Sequence, residues 1–114
     1  MLQRLFVYGT LAPGRPNEHV LSGVPGTWQQ ATVRGHLVQE GWGAEQGYPG
    51  IVVDESADSV AGYLLTSDAL DSEWDRLDEF EGRQYQRILA RVQLDGGQVV
   101  EAYLYQLKRQ SSQP

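Results

Sequence analysis

Near the C-terminus, Ile88, Ala90, Val92 and Leu94 alternate with Leu89, Arg91 and Gln93, the period-two pattern of a strand with one buried face. Asp95-Gly96-Gly97 reads as a turn, and Val99 to Leu107 as the returning strand, so the pair forms a β-hairpin. A lone hairpin is marginal in water, so its apolar face requires further elements to cover it. The rest of the chain supplies them. Leu5-Phe6-Val7-Tyr8, closed by Gly9, suits a buried strand; Thr27 to Val38 favours another, with Gly35 suggesting a bulge or bend. Ile51-Val52-Val53 and Val60 to Leu65 add two more. Asn17 would cap a short turn carrying Val20 and Leu21, residues 41–47 form a loop, and no repeat or low-complexity segment appears along the chain.

One helix is expected, from about Asp68 to Glu81, with Ser67 as N-cap and Gly82 as a left-handed stop. Five or six strands with one helix before the last hairpin argue for an α+β fold with a mainly β core. The length of 114 residues allows one domain, taken as 1–109, with 110–114 as a short tail. Hydrophobic residues at 40% and thirteen glycines fit a compact, turn-rich fold.

Charge narrows the partners. Fifteen acidic against nine basic residues leave a net −6, and the basic ones form no stripe along which a phosphate backbone would lie. No nucleic acid is expected. Without cysteine there are no disulfides, thiol nucleophiles or cysteine metal sites. The start has too short an apolar run for a signal peptide and nothing approaches a membrane span, so a cytoplasmic protein without membrane contact is expected. His19 and His36 stand apart from one another, and no metal or cofactor is expected. A monomer or small homo-oligomer fits this length.

Three places are candidates for chemistry. Tyr8-Gly9-Thr10-Leu11 follows the first strand, where a glycine lets successive N–H groups converge on a carboxylate or oxyanion; an ordinary strand-ending turn reads the same way. Seven acids lie between Asp68 and Glu81, and most must form a solvated face. Glu81 differs: at ~100° per residue it points about 20° from Leu70, between Trp74 and Leu77. Apolar neighbours, nearby acids and the negative end of the helix dipole would all raise its pKa, suiting a general acid/base. If the helix frays at Phe80, Glu81 instead hydrates or pairs with Arg83. Tyr85-Gln86-Arg87 and Tyr48-Pro49-Gly50 could present tyrosine hydroxyls and rings as a ligand wall, or simply lie at the core margin. Arg87 could hold a carboxylate, or pair with Asp78 or Glu79.

Taken in order, Phe6-Val7-Tyr8-Gly9-Thr10-Leu11, Tyr48-Pro49-Gly50, Val60-Ala61-Gly62-Tyr63, Leu77-Asp78-Glu79-Phe80-Glu81, Tyr85-Gln86-Arg87 and Ala102-Tyr103-Leu104-Tyr105 resemble the gamma-glutamylcyclotransferase-like family, especially its short gamma-glutamylamine cyclotransferase branch. The resemblance implies a small mixed-sheet β-barrel with flanking helices and a pocket at the first loop. It implies release of an amine or amino acid from a small gamma-glutamyl compound, the glutamyl part closing to 5-oxoproline. Glu81 matches the family's catalytic acid, and the backbone of Gly9, Thr10 and Leu11 its substrate-holding loop; Tyr8, Tyr48 and Tyr85 join them as substrate-binding candidates. The connection Glu81-Gly82-Arg83-Gln84-Tyr85 is shorter than in some members. Two other readings share these residues: a non-catalytic small-ligand binder using the same pocket, and a scaffold joining partners through its acidic helix.

Overall fold

The computed structural model describes residues 3–9, 14, 18–38 and 50–108. Six strands are present: β1 (Gln3–Val7), β2 (Thr27–Val38), β3 (Gly50–Val53), β4 (Ser59–Ser67), β5 (Tyr85–Leu94) and β6 (Val99–Leu107). Around the sheet they run β3-β2-β4-β1-β6-β5, and β5 pairs back onto β2 at Ala31–Leu94 and Thr32–Gln93. That last pairing closes five strands into a barrel and leaves β3 as an added strand on β2. The β1–β6 pair is parallel and the others antiparallel, so the barrel is mixed, as expected. Closure removes the open edges that five short strands would otherwise present.

Alternation along the strands sorts the core into two layers. Phe6, Leu64, Ala31, Val33, Ala90, Val92, Ala102 and Leu104, drawn from all five barrel strands, pack together with Ile51. Leu5, Val7, Leu65, Tyr85, Tyr105 and Leu107 point the other way, under Leu21, Leu70 and Leu77. Strand β1 is therefore buried on both faces. This is why Leu5-Phe6-Val7 reads as a continuous apolar run instead of an alternating one. The hairpin behaves as its pattern predicts: Ala90 and Val92 are buried, Leu89, Arg91 and Gln93 exposed, and Gly96 and Gly97 turn the chain at φ of +95° and +94°.

Two expectations need correction. Gly35 makes no bulge. The ladder is continuous from Arg34–Ser59 on β4 to Gly35–Val53 on β3, so Gly35 marks where β2 changes partner. A Cβ there would lie 2.7 Å from the Val52 carbonyl, and only glycine admits that approach. The segment from Asp68 is also not one helix. It begins as a 3₁₀ turn (Asp68–Ser72) and only after Glu73 becomes an α-helix, α1 (Trp74–Glu81). Ser67 caps the first turn as expected, its hydroxyl accepting from Ala69 N–H at 3.0 Å. Ser67 is buried, so Ser67→Ala leaves an orphan N–H and is expected to cost about 1–2 kcal/mol in urea unfolding.

At its other end, α1 stops at Gly82 with φ +83° and ψ −171°. The positive φ is the expected one. The extended ψ lies outside the left-handed helical region, in a conformation essentially confined to glycine. A second short turn, Glu18–Val20, precedes the buried Leu21. Asn17, the loop at 41–47 and the tail at 110–114 lie outside the described residues. Among the described residues no helix is long and apolar enough to cross a membrane.

Candidate active site

Glu81 is the last residue of α1 and is only 8% exposed. The angular argument that pointed to it ran through Leu70, across the 3₁₀ turn, and that phase does not carry over. The true reason is closer. Leu77 sits four residues before Glu81 in the same unbroken helix and is fully buried, and residues at i and i+4 share a face. The helix does not fray at Phe80, so the carboxyl goes in with the leucine. Burial pushes the Glu81 pKa up to about 7, because desolvation penalises the charged form.

Tyr8 lies just past the end of β1 and is partly buried. Its hydroxyl donates to the Tyr105 carbonyl at 2.8 Å and accepts from Ile51 N–H at 3.1 Å. Beside it, Gln106 Oε1 accepts from Val53 N–H at 3.1 Å. Two side chains thus satisfy N–H groups of β3 that face away from β2. Gly50 completes the fastening: a Cβ there would overlap the Leu107 side chain, 2.6 Å from its Cδ1. Tyr8 therefore has a structural duty that its sequence position did not disclose. Burial holds its hydroxyl well above the usual tyrosine range, the Ile51 bond pulls it back, and the charges of Glu81 and Tyr85 raise it further.

Those last two influences bring the predicted residues together. Glu81 and Tyr85 are both close enough for their charges to act on Tyr8. Tyr85 is buried at the start of β5, and Gly9 follows Tyr8 directly. Thr10, Leu11 and Tyr48 lie outside the described residues. A cleft of about 480 Å³ opens beside Tyr8, walled by Ala61–Tyr63, Gln30–Thr32 and the Asp95–Gly97 turn; Glu81 is not part of that wall.

Tyr105 and Gln106 were not singled out by sequence reasoning, and Asp78 only as one of two candidate partners for Arg87. Asp78 counted among the solvated acids, but it accepts a 2.6 Å hydrogen bond from the Tyr105 hydroxyl. Burial, that bond and the Asp78 charge raise Tyr105 far above its ordinary range, Arg87 counteracts, and Glu81 adds to the rise. Of the alternatives for Arg87, the structure shows the Asp78 partnership, at 3.6 Å. Its guanidinium carbon lies 4.5 Å from the centroid of the Trp74 ring and 5.3 Å from that of Tyr103, the geometry of a cation over aromatic faces. The available signals were the Arg87–Asp78 pairing among the alternatives and the place of Asp78 and Tyr105 within two of the six segments that carry the family resemblance.

Neither histidine takes part in the contacts described above. His19 is exposed, and exposed His36 pairs with Asp54 at 2.9 Å. Hydrogen bonds from Ser56, aided by His36, lower Asp54 to about 2. Among the described residues, no group of three or more His, Cys, Asp or Glu is disposed to hold a metal ion.

A family model for AIG2-like gamma-glutamyl cyclotransferases matches residues 5–114. The chain belongs to that family. No curated protein matches it, but several solved structures do. YkqA from Bacillus subtilis superposes with a TM-score of 0.72 at 28% identity, covering 95% of this chain and 36% of that one. The chain thus spans little more than a third of the Bacillus protein's length. An AIG2-like protein from Mus musculus gives 0.71 at 24% identity, with 97% and 80% covered. A structure described as gamma-glutamyl cyclotransferase gives 0.66 at 18% identity, with 96% and 68% covered. At such identities the last two likenesses speak for the fold alone, and the fold they share with this chain is the gamma-glutamyl cyclotransferase barrel.

Proposed function

We propose that this member of the AIG2-like gamma-glutamyl cyclotransferase family converts a small gamma-glutamyl compound into 5-oxoproline and a free amine or amino acid, with Glu81 as general acid and base. The observation that carries the reading is the burial of the Glu81 carboxyl, 8% exposed at the end of α1, which pushes its pKa up to about 7. A group poised near neutrality both takes and returns a proton at working pH.

The chemistry needs no protein nucleophile. The substrate's own α-amine attacks its γ-carbonyl carbon, but at pH 7 that amine is an ammonium ion. The ionised Glu81 carboxylate takes one proton from it, and the new C–N bond forms as the carbonyl electron pair moves onto oxygen. When the tetrahedral intermediate collapses, the bond to the leaving nitrogen breaks and Glu81 returns its proton there; the freed carboxylate then takes the second proton that the ring nitrogen still carries and passes it to the departing amine, leaving a neutral lactam N–H and an ammonium ion. Amine and carbonyl are already in one molecule, so holding them in contact supplies much of the rate, with effective molarities on the order of 10⁵ M or more. In this reading the backbone N–H groups of Gly9, Thr10 and Leu11 hold the substrate carboxylate or the oxyanion. Tyr8, Tyr48 and Tyr85 form the walls. No cofactor enters the scheme.

The test is 5-oxoproline formation, read by mass spectrometry, from a panel of gamma-glutamyl amines, ε-linked lysine and dipeptides. Turnover by the wild type, lost in Glu81→Gln and kept in the exposed-face control Asp75→Asn, is the expected result and ranks the leaving groups. Because the ionised form is the base, kcat/KM should fall tenfold per pH unit below about 7, the Glu81 value, and level off above it. A folded protein that binds panel members without releasing product would instead be a binding protein using the same pocket.

A further inference from the structure

We propose that Asp78 and Tyr105 are positioning residues that hold the last turn of α1, and with it Glu81, against the barrel. The inference rests on Glu81 being the acid/base group and adds how its place is kept. Helix α1 is eight residues long, too short to be stable through its own hydrogen bonds. It follows a 3₁₀ turn and ends at a glycine in an unusual conformation, so neither end is a continuation of rigid structure. Its final turn needs anchoring from outside.

Leu77 supplies the apolar anchor. The polar anchor is Asp78, three residues before Glu81. Its Oδ1 accepts from the Tyr105 hydroxyl at 2.6 Å, and its Oδ2 faces Arg87 Nη2 at 3.6 Å. Its backbone carbonyl also accepts the Gly82 N–H at 3.0 Å, closing the turn that contains Glu81. An O–H···O⁻ bond this short belongs to the charge-assisted class, stronger than neutral bonds. Tyr105 is itself immobilised: it is 5% exposed, and its carbonyl receives the Tyr8 hydroxyl at 2.8 Å. One residue of β6 therefore ties α1 through its side chain and Tyr8 through its backbone. Two groups meant to act on one substrate are registered to each other through Tyr105. Such registration matters because a displacement of about 1 Å can cost on the order of a hundredfold in rate.

Tyr105→Phe keeps the buried ring and removes only the hydroxyl; Asp78→Ala removes the acceptor from a side chain that is 43% exposed, so the core is untouched. Both are expected to lower kcat about tenfold with KM changed less than twofold. The double variant should be no worse than either, as for one shared interaction. Asp78→Asn retains an oxygen for the tyrosine and should recover most of the activity. A readout independent of turnover is the ¹³C carboxyl titration of Glu81. Among the described residues the titratable groups that feel the Glu81 charge are Tyr8, just past β1, and Tyr105 from β6; Tyr85 from β5 acts in turn on Tyr8, and Asp78 and Arg87 act on Tyr105. The Glu81 midpoint, about 7 in the wild type, should drop toward ordinary glutamate values when the loosened turn admits water.

Unchanged kcat and an unchanged Glu81 midpoint, with only a lower melting temperature, would make these residues structural and overturn the proposal. If Glu81→Gln abolishes turnover while both variants keep it, the positioning role fails and the proposed function stands. If the wild type forms no 5-oxoproline and the Glu81 midpoint still moves, the function fails and the positioning role stands. Should Tyr105→Phe not fold, Asp78→Ala carries the same comparisons.

Discussion

Glu81→Gln is expected to be both inactive and more stable than the wild type above neutral pH. Loss of a general acid/base contribution predicts a fall of about 10²–10⁴ in kcat. The stability gain follows from linkage. The folded-state pKa is about 7 against 4.5 for the ordinary group, so between those values the folded protein holds a proton that the unfolded chain has released. Wild-type stability therefore falls as pH rises through that window and is flat, for this group, on either side. At 1.36 kcal/mol per pKa unit the loss is about 3 kcal/mol. Glutamine cannot ionise and escapes it. The two proteins should have similar stability at pH 4 and separate by on the order of 10 °C in melting temperature at pH 8. Parallel melting curves across that range would show that Glu81 does not carry a raised pKa. Such a trade of stability for a strained functional group is common at active sites.

Gly62→Ala is expected to be the most damaging small substitution in the barrel. Gly62 lies on β4 next to Tyr63, which pairs with Val7. A Cβ at this position would run into the Val7 carbonyl and sit 2.6 Å from Phe6 Cζ. Backbone on one side and a fully buried ring on the other leave nothing that can yield cheaply. The strand must separate from β1 or Phe6 must leave its place, at about 3 kcal/mol or more. The same shift moves Tyr8, so any folded fraction should also lose turnover. Urea unfolding measures the first effect. Gly23→Ala is the comparison: a Cβ there meets nothing within 4 Å and needs no positive φ, so it should be neutral or slightly stabilising. Equal midpoints for the two variants would show that the β1–β4 contact is looser than described.

Much of this molecule was legible from residue order. The hairpin, the β1 run, the Ser67 cap and the positive φ at Gly82 each follow from chemistry within a few residues of the chain. The single-helix expectation failed because 3₁₀ and α turns draw on the same residues over so short a span; only the packing of Leu70 and Leu77 tells them apart. Gly35 and Gly62 look alike in sequence, as glycines inside strands. One marks a change of strand partner and the other a collision with β1, and both facts belong to strands distant in the chain.

The sequence by itself determined the alternation that makes the strands, the residue types of the site and the lack of any thiol. Those are consequences of local periodicity and composition, which short-range sterics and hydrophobicity enforce. Only the tertiary structure decided that β5 closes onto β2, that Tyr8 fastens β3, and that Asp78 reaches Tyr105, 27 residues away in sequence. It also decided the pKa of Glu81, because desolvation depends on everything packed around a carboxyl and not on its neighbours in the chain.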